Sequence, residues 1–148
     1  MHKVVLDSTV LVSAFLAKTG VSAELLYKAK DGGFDMFLAE EILEEVQRAL
    51  LQYQKIRNRY HYADQTVIQF VQNLRIVAHL ITELPSIEVV NSDPNDNMVV
   101  ACALKVRADY IVTRDNDLLS LENYEDIKVV TPEKFIGILR SGKRKPPF

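Results

Sequence analysis

The sequence predicts an α/β domain built on a mainly parallel sheet. Short apolar runs alternate with helical periodicities along most of the chain, two of those runs lead into aspartates, and no repeat, linker or low-complexity block interrupts the alternation. At 148 residues the chain fits one domain, enough to bury about 68–70% of its unfolded surface. That domain is expected over 1–140, with 141–148 as a basic C-terminal tail.

Lys3 to Leu6 is an apolar run that reads as a buried strand, and Asp7 ends it. Val10 to Leu16 follows as a short buried helix, broken at Lys18-Thr19-Gly20. Val21, Leu25, Leu26 and Ala29 make the next helical stripe, stopped by Asp31-Gly32-Gly33. Phe34 to Leu38 is a second strand. Glu40 to Leu51 is a helix whose Ile42, Leu43, Val46, Ala49 and Leu50 share one face. Gln52 to Tyr62 is polar and basic. Ala63 to about Ile81 keeps an amphipathic helical rhythm until Leu84-Pro85. Ile87 to Val90 reads as a short third strand, Asn95 to Val106 as a helix apolar on most sides, and Asp109 to Val112 and Ile127 to Val130 as the fourth and fifth strands. Thr131-Pro132 opens a last helix to about Leu139, with Thr as N-cap and Pro in the first helical position.

The 48% hydrophobic and 26% charged fractions are those of a soluble globular protein. A net charge of −2 gives no strong pull toward nucleic acid or acidic membranes, which argues against a non-specific DNA coat but leaves room for a local basic patch. Cys102 is the only cysteine, so no intramolecular disulfide can form, and in its apolar run it reads as an inert core thiol. No leader is read at the start, and Val10 to Ala17 is shorter than the roughly 20 residues a membrane span takes. The expectation is a cytoplasmic protein with no membrane partner.

In an open parallel sheet, ligands bind beyond the carboxyl ends of the strands. Asp7 follows one such end; Asp115, with Asp117 two further on, follows another through Thr113-Arg114. Each could instead cap the next helix. Asp93 and Asp96 open the apolar helix, Asp93 as N-cap before Pro94 and Asp96 in the first turn, where an acid favours the helix dipole. On helix 40–51, with Ile42 at zero and 100° per residue, the apolar face spans about −20° to +100°; Glu45 falls near about −60°, on its rim, and Glu44 near about 200°, in solvent. Carboxylates converging without His or Cys are the pattern for a hard cation, Mg²⁺ or Mn²⁺. His2, His61 and His79 have no zinc spacing, and neither a Gly-rich phosphate loop nor a Ser-centred nucleophile elbow is present.

Four stretches, in order from residue 3 to about 136, resemble the motifs of the PIN-domain family, metal-dependent nucleases that include VapC-like toxins, and look closest to its single-domain bacterial and archaeal branch. They are Val5-Leu6-Asp7-Ser8-Thr9-Val10-Leu11-Val12-Ser13-Ala14, Glu40-Glu41-Ile42-Leu43-Glu44-Glu45-Val46, Asp93-Pro94-Asn95-Asp96-Asn97, and Asp109-Tyr110-Ile111-Val112-Thr113-Arg114-Asp115-Asn116-Asp117-Leu118-Leu119. The resemblance implies a three-layer α/β/α fold of about five parallel strands. It implies a catalytic and metal-binding set of Asp7, Glu45, Asp96 and Asp115, with Asp117 as an additional ligand, acting through Mg²⁺ or Mn²⁺ on RNA phosphodiesters. Thr9, Thr113, Arg48, Lys55, Arg57 and Arg59 are then expected to bind substrate, with Tyr60 beside them and Lys143, Arg144 and Lys145 as a smaller second patch. A homodimer and an antitoxin protein are the implied partners. The chain departs from the family at Thr9, where Asn is usual, and 52–83 is its least similar part. A haloacid-dehalogenase-like phosphatase would need Asp where Thr9 stands. A non-catalytic module that binds RNA or protein is the alternative.

Overall fold

Strand β1 (Lys3–Leu6) is the hub. Val4, Val5 and Leu6 are wholly buried, which is why the run is apolar without alternation: a parallel strand covered on both faces has no solvent side. The computed structural model describes residues 1–87 and 93–142. In it β1 pairs in parallel with β2 (Asp35–Ala39) on one side and β4 (Tyr110–Val112) on the other. Strand β3 (His79–Ile81) adds outside β2, β6 (Ile127–Val130) outside β4, and the two-residue β5 (Asn123–Tyr124) closes that edge antiparallel to β6. The order is β3-β2-β1-β4-β6-β5. The chain therefore builds one way from β1 and then returns to its other side, leaving a switch point at the carboxyl ends of β1 and β4.

Helices cover the sheet as a three-layer α/β/α arrangement. Helix α1 (Ser8–Leu16) packs on α2 (Val21–Lys30) and on α3 (Glu40–Gln52), while α6 (Pro94–Val106) lies against β1 and β2. Cys102 of α6 is wholly buried, and burial pushes its thiol up to about 12, so it is inert packing. Among the described residues no single helix is long and apolar enough to cross a membrane.

Several boundaries differ from the sequence pattern. The expected helix over 63–81 is α5 (Asp64–Val77), and the chain then extends so that His79–Ile81 pairs with Phe37–Ala39. Ala78 and Ile81 continue the helical spacing by coincidence; the exposed edge of β2 and the stacking of Phe37 on His79 (centroids 4.9 Å apart) favour the strand. The third strand expected at 87–90 lies, from residue 88 on, outside the described residues, and among the described residues the sheet has six strands, five of them parallel. The basic stretch after α3 contains α4 (Gln54–Arg59). Here Arg57 pairs with Asp64 at 2.8 Å, donates to the Leu50 carbonyl at 3.3 Å and lies 4.7 Å from the centre of the Tyr62 ring, tying α3, α4 and α5 together. The last helix, α8 (Pro132–Gly142), runs three residues past its expected end at Leu139, and Lys143, Arg144 and Lys145 lie outside the described residues.

Phe135 of α8 is wholly buried, edge-on to Phe34 at 5.2 Å and tilted against Tyr110 at 5.3 Å. Phe135→Ala is expected to lower unfolding stability by about 3–5 kcal/mol, read from urea denaturation; a loss under about 1 kcal/mol would show that α8 is not locked to the core through this ring.

Candidate metal centre

Asp7 leaves the end of β1 with its backbone N–H donating to the Val112 carbonyl at 3.2 Å, so the β1–β4 ladder fixes its position. Its side chain caps α1: Oδ1 accepts from the Val10 N–H at 3.2 Å and from the Thr9 hydroxyl at 2.6 Å, and Oδ2 accepts from the Thr113 hydroxyl. The cap and site readings are thus not exclusive, because the cap holds the carboxylate still at the sheet's edge. Asp7 is only 2% exposed, and burial raises its pKa from the ordinary 3.8 to about 6. The hydrogen bonds from Thr113, Thr9 and Val10 pull the other way, and the Asp115 charge adds to the rise.

The two threonines, expected to bind substrate, both hydrogen-bond to Asp7. Thr113 is wholly buried; its hydroxyl donates to Asp7 and accepts from the Asp115 N–H at 2.9 Å, so it positions two carboxylates. Thr9 donates to Asp7 and accepts from the Arg114 N–H at 3.1 Å, which pins the end of β4 to the start of α1. The Arg114 side chain is occupied elsewhere, paired with Glu133 at 2.8 Å and in contact with Ser22 Oγ. Arg57, also expected to bind substrate, is engaged in its bonds to Asp64 and the Leu50 carbonyl. Arg48, Lys55 and Arg59 are exposed, and among the described residues none of them makes an ion pair.

Asp115 caps the short helix α7 (Asn116–Leu119), accepting from the Asp117 N–H at 2.8 Å, and Asp117 is exposed. Asp93 caps α6 through the Asn95 N–H at 2.9 Å. One turn of α6 brings Asp96 onto the same side as Asp93, as residues three apart on a helix must be. Carboxylate oxygens of Asp93, Asp96 and Asp115 all lie within 4.8 Å of one another. Asp96 is 5% exposed, and its Oδ2 has no hydrogen-bond partner. Burial first, then the charge of Asp115, a hydrogen bond shared with Asp115, and the charges of Asp93 and Asp7 push its pKa well above the carboxylate range.

Glu45 comes to the opposite rim from α3, half-buried as the helical phase predicts, whereas Glu44 is exposed. Asn95 Nδ2 donates to Glu45 Oε1 at 2.9 Å and so links α3 to the head of α6. Burial, followed by the Asp93 charge, raises the Glu45 pKa, with Arg48 opposing. The tightest trio therefore includes Asp93, which the sequence pattern assigned only a capping role, while Asp7 and Glu45 flank it. The available signal was the Asp93–Asp96 spacing of three across Pro94.

A hard divalent cation fits these residues. The donor set is all oxygen, one buried carboxylate oxygen is orphaned, and clustered acids raise one another's pKa values for want of a positive charge. Protein comparison agrees with that chemistry: the PIN-domain family model matches residues 3–117, a span holding every acid of the site. The chain belongs to the PIN-domain family, whose members are generally metal-dependent nucleases and usually bind divalent ions. A search of curated proteins gives no match.

The raised pKa values have a consequence for stability. Each folded carboxyl keeps its proton where the unfolded chain has lost it, so folding stability falls as pH rises; for Asp7 the loss runs from about pH 4 to about 6, and Asp96 extends it upward. In EDTA, Asp96→Asn is expected to melt above wild type at pH 7.5 by a few degrees, about 1 kcal/mol or more, with the gap narrowing toward pH 5. Equal melting temperatures at both pH values would show that Asp96 carries no such penalty.

Proposed function

We propose that this protein is a Mg²⁺- or Mn²⁺-dependent endoribonuclease, of the kind that serves as the toxin in toxin–antitoxin pairs of the cytoplasm. The orphaned Oδ2 of buried Asp96, inside a carboxylate trio at the switch point of a PIN-domain sheet, carries the reading. Asp93, Asp96 and Asp115 would hold the ion, with Asp7 and Glu45 on either side and Asp117 at the exposed margin. The ion supplies Lewis acidity, neutralising phosphate charge and making a water molecule a better nucleophile. The chain's own part is placement. Thr9 and Thr113 immobilise both oxygens of Asp7, and Asn95 holds one oxygen of Glu45. Arg48, Lys55 and Arg59 supply positive charge for the backbone of an approaching strand. That Thr9 donates to Asp7 supports an active site despite the family's usual Asn there.

A protein contact is supported elsewhere. A groove of about 830 Å³ between α1, α2 and α5 is lined by Phe15, Leu26 and Phe70, with Tyr27 62% and Ile76 81% exposed beside it. Such an apolar surface suits a second copy of the chain or an antitoxin.

Purified protein is expected to cleave a mixed RNA pool in Mn²⁺ or Mg²⁺ and to stop in EDTA. Asp7→Asn and Asp96→Asn should each lower cleavage more than about 100-fold, beyond the usual loss from an outer-shell partner, with the circular dichroism spectrum unchanged. Glu44→Gln should behave as wild type. Cleavage that persists in EDTA sinks the metal mechanism, and RNA binding without cleavage in any divalent ion would favour the non-catalytic alternative.

A further inference from the structure

Beside the acidic edge lies a second cleft, of about 430 Å³, between α1 on one wall and α3 and α4 on the other. Its lining includes Thr9 and Glu45, which belong to the site above, and Tyr53, Ile56 and Tyr60, which do not. Along α3, Glu45, Ala49 and Tyr53 are spaced by four, so they form one stripe, and Tyr53 sits about 12 Å from Glu45 along the axis. The cleft thus starts at Glu45, on the flank of the carboxylate trio, and leads to two aromatic rings.

Those rings are not ordinary core. Tyr53 is 50% exposed. Its backbone does the structural work at the α3–α4 junction, donating to the Ala49 carbonyl at 3.2 Å and accepting from the Arg57 N–H at 3.0 Å. The side chain has no part in that. Tyr60 is half-buried, and the Arg59 guanidinium lies 5.7 Å from its ring centre. Exposed Arg48 and Lys55 stand on the same two helices, and among the described residues the only acid lining the cleft is Glu45. Aromatic faces interleaved with cations are how proteins hold unpaired bases, since every base has a π-face and every linker a negative charge. A base already stacked in a duplex cannot present that face.

We infer that this cleft is a base-binding subsite: an unpaired base of single-stranded RNA stacks on Tyr53 and Tyr60 while the strand's phosphate backbone continues past Glu45 to the carboxylates. The inference rests on the ribonuclease reading for its occupant; it adds Tyr53 to the substrate-binding residues and gives Tyr60, already expected beside the basic residues, a base to stack on. The cleft's size lies at the low end of the roughly 300–1,000 Å³ typical of small-ligand pockets, ample for a base.

Binding is measured by fluorescence anisotropy of a labelled single-stranded oligoribonucleotide, with Ca²⁺ replacing Mg²⁺ to limit turnover. Steady-state cleavage is measured separately in Mn²⁺. Tyr53→Ala and Tyr60→Ala are each expected to weaken binding roughly 5- to 100-fold, the loss of one base–aromatic stack. They should raise KM by a similar factor and leave kcat within about twofold. Tyr53→Phe and Tyr60→Phe should bind like wild type, because the ring and not the hydroxyl carries the contact. An oligonucleotide of abasic residues should bind wild type as weakly as the intact one binds the alanine variants. Alanine variants that bind like wild type, or an abasic strand that binds as well as the intact one, overturn the subsite and leave the ribonuclease reading standing. Tyrosine-sensitive binding by a wild type that never cleaves does the reverse, and absence of any RNA binding overturns both.

Discussion

The acidic edge depends on one piece of backbone pairing, the parallel register of β1 with β4, in which Val5 faces Ile111 and Leu6 faces Val112. Because the two strands end level, Asp7 and the Thr113–Asp115 segment leave the sheet side by side, and the Thr113 hydroxyl reaches both carboxylate-bearing residues. Slip that register by one residue and the side chains at the strand ends would exchange faces, which would separate Asp7 from Thr113. Helix α6 completes the arrangement because it packs on β1 and β2 and enters β4 from behind, so its first turn faces the same edge.

A carboxylate that caps a helix and a carboxylate that binds a cation are usually weighed as alternatives. Here Asp7, Asp93 and Asp115 each cap a helix, and the same three border or form the cluster. Capping fixes the side-chain torsion by satisfying one backbone N–H, so the acid is held in place before any ion arrives. Asp96 is the exception. It caps nothing, its second oxygen is orphaned, and its proton is held by burial and by neighbouring negative charge. A folded domain carries that penalty only because the apolar sheet and the ring cluster around Phe135 stabilise it from elsewhere. The penalty also points to the ligand, since a divalent cation relieves burial and repulsion at once.

Helix α3 shows how one element serves two tasks. Its apolar face locks it to the core, its rim delivers Glu45 to the carboxylates, and the same rim line ends in Tyr53 at the junction with α4. Arg57 has the opposite fate to the other basic residues nearby. Bound to Asp64, the Leu50 carbonyl and the Tyr62 ring, it holds the α4 turn in place while Arg48, Lys55 and Arg59 face outward.

What the sequence determined by itself was whatever depends on neighbours along the chain. Apolar runs marked β1, β2, β4 and β6; the helical phase of α3 placed Glu45 on the rim and Glu44 in solvent; Asp93 before Pro94 announced the head of α6. Motif order along 3–117 was enough to point to the family. Tertiary structure decided the rest. His79–Ile81 continues a helical spacing yet pairs with β2, because an unpaired strand edge competes with one more helical turn. Asn123–Tyr124 is too short and polar to read as a strand, and exists only because β6 lies beside it. Burial gave the Thr113 hydroxyl to Asp7 and Asp115, and Asp93 joined Asp96 and Asp115 only when α6 met β4. Local pattern fixes which way a side chain points on its own element; which carboxylates meet depends on elements far apart in the chain, and only packing sets that distance.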